Sequence, residues 1–192
     1  AETDRRFRET DQRFKETDRR LDERFTELSQ RIEALSAEVQ ASTKKWGELS
    51  NRLGRLAEDF VAPSIPQIFR AVIGCPDGEL DMLSVRTKRR HVEDRGRGKE
   101  FDVVAAYGDY VLVNETKSQL KVEDVDRFVE LMEEIRAYFP EYAGRRFIGA
   151  LASLYVDRSV VEYGSRKGVL VLGLGKYLME VLNGPDFKPK EF

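Results

Sequence analysis

Residues 100–117 read EFDVVAAYGDYVLVNETK. Two apolar runs flank Gly108 and Asp109, a dipeptide suited to a two-residue hairpin turn. Counting outward from that turn, Tyr107 opposes Tyr110, Ala105 opposes Leu112 and Val103 opposes Asn114. The next pairs are Asp102 with Glu115 and Glu100 with Lys117. Side chains alternate between faces, so Asp102, Glu115 and Lys117 are expected on one face. Opposed carboxylates about 5 Å apart repel by about 3 kcal/mol at an effective dielectric near 20. A cross-strand pair contributes only about 0.2–1 kcal/mol, so this pairing calls for positive charge between the two acids. Lys117 supplies one unit; a divalent cation supplies two and takes oxygen ligands from both carboxylates. The competing reading is a solvated rim of strand-end charges, with Lys117 paired to Glu100.

Around the hairpin the chain alternates strand and helix patterns. LDMLSVRTKRRHV (80–92) precedes it as a third strand. VEDVDRFVELMEEIRAYF (122–139) follows as a helix, with Val125, Phe128, Val129, Met132 and Ile135 at helical spacing and Pro140 closing it. RFIGALASLYV (146–156) reads as a buried strand, DRSVVEYGSRKG (157–168) as a short helix and VLVLGLG (169–175) as another strand. The order predicts an α/β fold with a mixed sheet. NGPDFKPKEF (183–192) reads as a loose polar tail.

The first 60 residues obey a different period. Phe7, Phe14, Leu21, Leu28, Leu35, Leu49 and Leu56 recur every seven residues, interrupted by Ser42. Phe25, Ile32, Val39, Trp46, Leu53 and Phe60 follow four positions behind, with Asp4, Asp11 and Asp18 on the same register nearer the start. That seam has coiled-coil spacing, and a single helix cannot bury it alone. Residues 1–60 are therefore expected to form a coiled-coil helix that joins copies of the chain, and residues 61–192 an α/β domain. PSIP (63–66) is expected to stop the helix.

An acid early in one strand and Glu-x-Lys late in the next, here Asp102, twelve intervening residues and Glu115-Thr116-Lys117, resembles the PD-(D/E)XK nuclease superfamily. The predicted helix–strand–strand–strand–helix–strand order is similar to that family's restriction-endonuclease-like αβββαβ core. Phe101 stands where the family's proline is expected. The layout with a heptad helix resembles prokaryotic proteins that join a coiled coil to such a nuclease domain. The resemblance implies that Asp102, Glu115 and the Thr116 backbone carbonyl hold Mg²⁺ or Mn²⁺, and that Lys117 orients or activates the attacking water. It further implies a glutamate from the preceding helix, for which Glu58 is the candidate and Asp59 the competitor. The implied activity is metal-dependent hydrolysis of phosphodiester bonds in DNA or RNA. The alternative is a catalytically inactive module of this fold that binds nucleic acid or protein partners.

Between the first strand and the Asp102 strand, Arg86, Lys88, Arg89, Arg90, Arg95, Arg97 and Lys99 stand against Glu93 and Asp94, a local excess of five positive charges. These side chains are candidates for nucleic-acid phosphates, with DNA the expected partner. The competing reading is a solvated hairpin rim. His91, within the stretch, reads as a phosphate contact or a surface residue. The net charge of −2 rules out a general polycation, so any such contact is local. One cysteine, Cys75, and one histidine leave no intrachain disulfide and no Cys/His zinc pattern. No signal peptide or apolar run of membrane-spanning length is visible, which points to a cytoplasmic protein with no membrane partner.

Overall fold

The computed structural model describes residues 2–74, 80–176 and 178–192; the side chains of residues 3–11, 50, 51, 53–55, 57 and 58 lie outside the described residues. Leu53, Glu58 and Cys75 are among those left out. The chain divides into two units, residues 1–49 and 50–192.

Unit 1 is helical throughout its described length, within helix α1 (Glu2–Ile73). Its outer surface is held by pairs four residues apart, among them Arg20 with Glu16 at 2.8 Å and Arg31 with Glu27 at 2.6 Å. The described seam residues of unit 1 are open to solvent in the single chain: Phe25 is 74% exposed and Trp46 70%.

Unit 2 is built on six strands: β1 (Met82–Arg90), β2 (Gly98–Tyr107), β3 (Tyr110–Thr116), β4 (Arg146–Ala152), β5 (Leu170–Leu174) and β6 (Met179–Val181). Their spatial order follows the chain, β1 to β6. β1, β2 and β3 are antiparallel, β3, β4 and β5 parallel, and β6 returns antiparallel. Helices α2 (Val122–Glu133), α3 (Ile135–Tyr138) and α4 (Arg158–Lys167) complete the α/β fold with a mixed sheet. The αβββαβ order expected from the sequence is present. Gly108, at φ +52°, makes the hairpin turn, and the register Tyr107 to Tyr110, Ala105 to Leu112, Val103 to Asn114 is the one counted from the sequence.

The sheet separates two cores. Val104, Ala106, Val111, Val113, Phe147 and Val171 face α2, α3 and α4, with Phe128, Met132 and Phe139 packed on them. Val103, Ala105, Leu112, Ile148, Ala150 and Leu172 face the last turns of α1.

Three expectations are corrected. PSIP does not end the first helix, which runs through Pro63 and Pro66 to Ile73. Each proline withholds one helical hydrogen bond and costs about 3 kcal/mol. Val61, Ile65, Ile68 and Phe69, at helical spacing, are all buried, and each contributes about 1.5–3 kcal/mol. The Ser64 hydroxyl donates to the Phe60 carbonyl at 2.7 Å and accepts the Met179 N–H at 3.0 Å, which ties β6 to this segment. The 183–192 tail is docked rather than loose. Phe187 packs on the α1 side and Phe192 on the α2 side of the sheet. The Lys190 and Phe192 N–H groups donate to the Gly168 and Phe147 carbonyls at 2.8 and 2.9 Å. The 122–139 helix is broken at Glu134, whose carboxylate is held by Arg97 at 2.9 Å. The Ala137 carbonyl beyond the break accepts the Val92 N–H at 2.9 Å.

Candidate functional site

The hairpin is irregular where the sequence placed its charges. Regular β2–β3 pairing ends at Val103 with Asn114, and β1–β2 pairing omits Arg86 opposite Asp102. Arg86 has φ +53°, a left-handed backbone uncommon outside glycine. Ser84 and Thr87, three residues apart, join their hydroxyls at 2.6 Å. In a regular strand such residues lie on opposite faces. Phe101 likewise shares a core with Val104 and Ala106 instead of with Val103 and Ala105. Both strands therefore shift phase by one residue at Arg86 and Asp102, while the pairing stays one for one on either side.

The shift re-aims Asp102. Its Oδ2 accepts the Thr116 backbone N–H at 2.6 Å, in place of a further backbone rung between β2 and β3. Thr116 is fixed from the other side, where Asn114 Nδ2 donates to its hydroxyl at 2.9 Å. Asn114 is fully buried, and its Oδ1 has no hydrogen-bond partner.

Glu115 follows the strand alternation to the α2 side. The Lys117 ammonium donates to its Oε1 at 2.5 Å and the Lys99 ammonium to its Oε2 at 3.1 Å. Lys117 thus pairs with Glu115, while Glu100 meets Lys88 at 3.3 Å. Burial raises the Glu115 pKa, but the Lys117 hydrogen bond, the charges of both lysines and the Lys99 hydrogen bond outweigh it. The carboxyl is held below its ordinary value of 4.5. It is ionised at neutral pH.

Glu115, Lys117 and Lys99 line a cavity of about 270 Å³ together with Asp124, Arg127 and Phe128 of α2. The start of α2 is fixed by the Lys121 N–H donating to Asp124 Oδ2 at 2.9 Å, and Arg127 pairs with Asp124 Oδ1 at 2.7 Å. Arg127 and Asp124 were not singled out in the sequence. The available signal was their place in the first two turns of the helix that follows Glu115-Thr116-Lys117.

The basic stretch is divided. Lys88, Arg89, Arg90 and Lys99 line a second cavity of about 350 Å³ on the β1–β2 ribbon. Arg89 also pairs with Glu141 at 2.7 Å and lies over the Phe139 ring at 5.0 Å. Arg97 turns to Glu134, Arg95 is exposed in the β1–β2 turn and Arg86 sits at the phase shift. His91 is not a surface residue. It is 7% exposed, edge-on to Tyr138 at 5.2 Å, with Nδ1 accepting the Glu93 N–H at 3.3 Å.

Asp102, Glu115 and the Thr116 backbone carbonyl offer only oxygen, the donor type of a hard divalent cation, but Asp102 and Thr116 are not among the residues that line the Glu115 cavity. The Asp102 carboxylate is hydrogen-bonded one residue from Glu115, and the lysines keep Glu115 ionised. Among the described residues no three His, Cys, Asp or Glu side chains form a metal-holding group. Glu58, the expected third acid, has its side chain outside the described residues; Asp59 is exposed. No helix among the described residues is long and apolar enough to cross a membrane.

Residues 79–181 match the family described as Domain of unknown function (DUF8196). No curated protein matches the chain. Among solved structures, EndoMS in the EndoMS–dsDNA2 complex is similar at 14% identity and a TM-score of 0.35, over 63% of this chain and 45% of that one. The small subunit (R.BspD6I2) of the heterodimeric restriction endonuclease R.BspD6I is similar at 14% identity and a TM-score of 0.30, over 64% of this chain and 69% of that one. The chain thus spans less than half the length of the first.

Proposed function

The chain belongs to the DUF8196 family, a domain of unknown function, and we propose that it is a divalent-metal-dependent nuclease that hydrolyses phosphodiester bonds of DNA or RNA. One observation carries this reading. Asp102 and Glu115-Thr116-Lys117 stand where regular pairing of β2 and β3 ends, with the Lys117 ammonium on Glu115 inside a positively lined cavity. Asp102, Glu115 and the Thr116 carbonyl are the groups that would hold Mg²⁺ or Mn²⁺. Such a cation lowers the pKa of a water and offsets charge on a phosphoryl oxygen. Lys117 orients the attacking water and faces the charge that grows on the phosphate. Water adds to phosphorus, one P–O ester bond breaks, and the departing oxygen takes up the proton. Arg127 balances the non-bridging oxygens from the α2 side. In this reading residues 1–60 pair copies of the chain through the heptad seam and residues 61–192 carry the site.

The test is a cleavage panel of DNA and RNA substrates with Mg²⁺, Mn²⁺ or EDTA. Wild type is expected to cut only with metal; Lys117→Ala and Asp102→Asn are expected to lose cutting while keeping the fold by circular dichroism. Unchanged cutting by both variants overturns the assignment.

A second reading draws on the same carboxylate. Both Glu115 oxygens already accept ammonium hydrogen bonds, as suits a module that binds nucleic acid without cleaving it. Calorimetric titration with Mn²⁺ separates the two: no binding at millimolar metal, with nucleic-acid binding retained, favours this reading.

A further inference from the structure

Lys99 lines both cavities. In one it meets Glu115 and Lys117; in the other it meets Lys88, Arg89 and Arg90. It is the only side chain common to the two linings given by the described residues. We propose that Lys99 joins these cavities into one phosphate track, along which a nucleic-acid backbone runs from the β1–β2 ribbon to the candidate site.

Three features support the track. Lys88, Arg89, Arg90 and Lys99 against Glu100 give the outer cavity a positive excess, and the Lys88–Glu100 pair, with Lys88 81% exposed, is weak enough to yield to phosphate. Strand geometry sets the placement: Arg89 is paired with Lys99 across the ribbon and shares its face, while Lys88 and Arg90 alternate to the other, so the cations border the ribbon's end from both sides. Gly98, opposite Arg90, leaves open backbone in the lining, where a phosphate can approach closely. The rigid support comes from the turn beyond, where Val92 is bonded to α3 and Arg97 to Glu134. Arg97, drawn away to that support, belongs to the scaffold of the track and not to its lining.

The Lys99 ammonium has two stations within reach of its flexible stem. Without ligand it donates to Glu115; with a backbone phosphate in the track it turns to the phosphate, and Glu115 keeps Lys117. Lys99 is therefore a positioning residue for the polyanion. The inference rests on the reading of the inner cavity as a phosphodiester site, yet its test needs no cleavage.

The probe is a fluorescein-labelled DNA duplex in EDTA, read by fluorescence anisotropy across a salt series. Lys99→Gln is expected to weaken binding several-fold and to lower the slope of log K against log salt by about one phosphate contact, near 0.9. Lys99→Arg keeps most of the affinity and slope. Arg158→Gln, a change at an arginine of α4 outside both cavities whose side chain is 92% exposed, leaves both unchanged. Inorganic phosphate at equal ionic strength competes weakly, because the track holds several linked phosphates. Wild-type affinity and slope in Lys99→Gln overturn the proposal, as does an equal loss in Arg158→Gln or full displacement by inorganic phosphate. Loss of cleavage in Lys117→Ala with this binding pattern intact separates the two readings.

Discussion

Phe25 and Phe69 belong to the same helix, and their surroundings differ completely. Phe25, in unit 1, is 74% exposed on a seam of like residues; Phe69, in unit 2, is fully buried and meets the Tyr107 ring at 6.4 Å. Helical spacing of apolar residues is therefore one signal with two outcomes. A sheet from the same chain answers it in unit 2. In unit 1 the described seam side chains stay exposed, and in the proposed reading a second copy of the chain covers them. The largest expected effect breaks this contrast directly. Phe69→Ala should cost about 3–5 kcal/mol, read as a shift of the urea midpoint by near-UV circular dichroism. Phe25→Ala should leave that midpoint in place and weaken self-association by analytical ultracentrifugation. Equal losses of midpoint from both substitutions would mean that one cooperative structure holds both phenylalanines.

The next effect lies inside unit 2, where charge replaces apolar packing. Removing both ammoniums with Lys99→Met and Lys117→Met leaves Glu115, 21% exposed, without its partners. The cost should be about 1.5–3 kcal/mol at neutral pH, the range for hydrogen bonds to a charged group. The sign of its pH dependence follows from the direction of the shift. The folded Glu115 pKa lies below its ordinary value of 4.5, so its contribution is present above that value. It is lost as pH falls through the depressed folded value. Wild type and double variant should accordingly converge in stability in acid. A gap that persists there would assign the effect to lost packing of the lysine stems.

The hairpin shows how far sequence reached and where it stopped. Gly108-Asp109 set the turn, and with it the pairing down to Val103 and Asn114, because a two-residue loop leaves no freedom of register. The next step was not legible. Asp102 was expected to oppose Glu115 in a regular rung, but the phase shift at Arg86 and Asp102 sends its carboxylate to the Thr116 N–H. A phase shift in two strands at once leaves no mark in apolar alternation when both faces of β2 are buried. Lys99 shows the same limit. Its charge marked it as a candidate for phosphate, but its pairing with Glu115 required the strands to be placed. Helix α1 beyond Pro63 was hidden for the opposite reason: local propensity pointed to a stop, and burial of Val61, Ile65, Ile68 and Phe69 overrode it.

The seam of unit 1 offers a third way to sharpen the contrast. Ile32→Asp places a charge at an apolar seam position that is 59% exposed in the single chain. Its expected effect on the urea midpoint of unit 2 is near zero. Its expected effect on association is large, since charge at a seam layer weakens pairing. A sedimentation coefficient unchanged from wild type would show that the seam is covered by something other than a second copy.

The smallest effect tests what keeps unit 1 helical. Arg31 and Glu27 meet at 2.6 Å, both well exposed, and such pairs contribute about 0.3–0.5 kcal/mol each. Arg31→Ala should therefore change helicity very little, and its small cost should fade as salt is raised. Dilution should matter more, because a lone helix gains its stability chiefly from packing of its apolar face. Far-UV ellipticity followed on dilution should fall as copies separate, in wild type and Arg31→Ala alike. Helicity that is independent of concentration but collapses in Arg31→Ala would reverse the order, making the surface pairs the source of the helix and the seam a passenger.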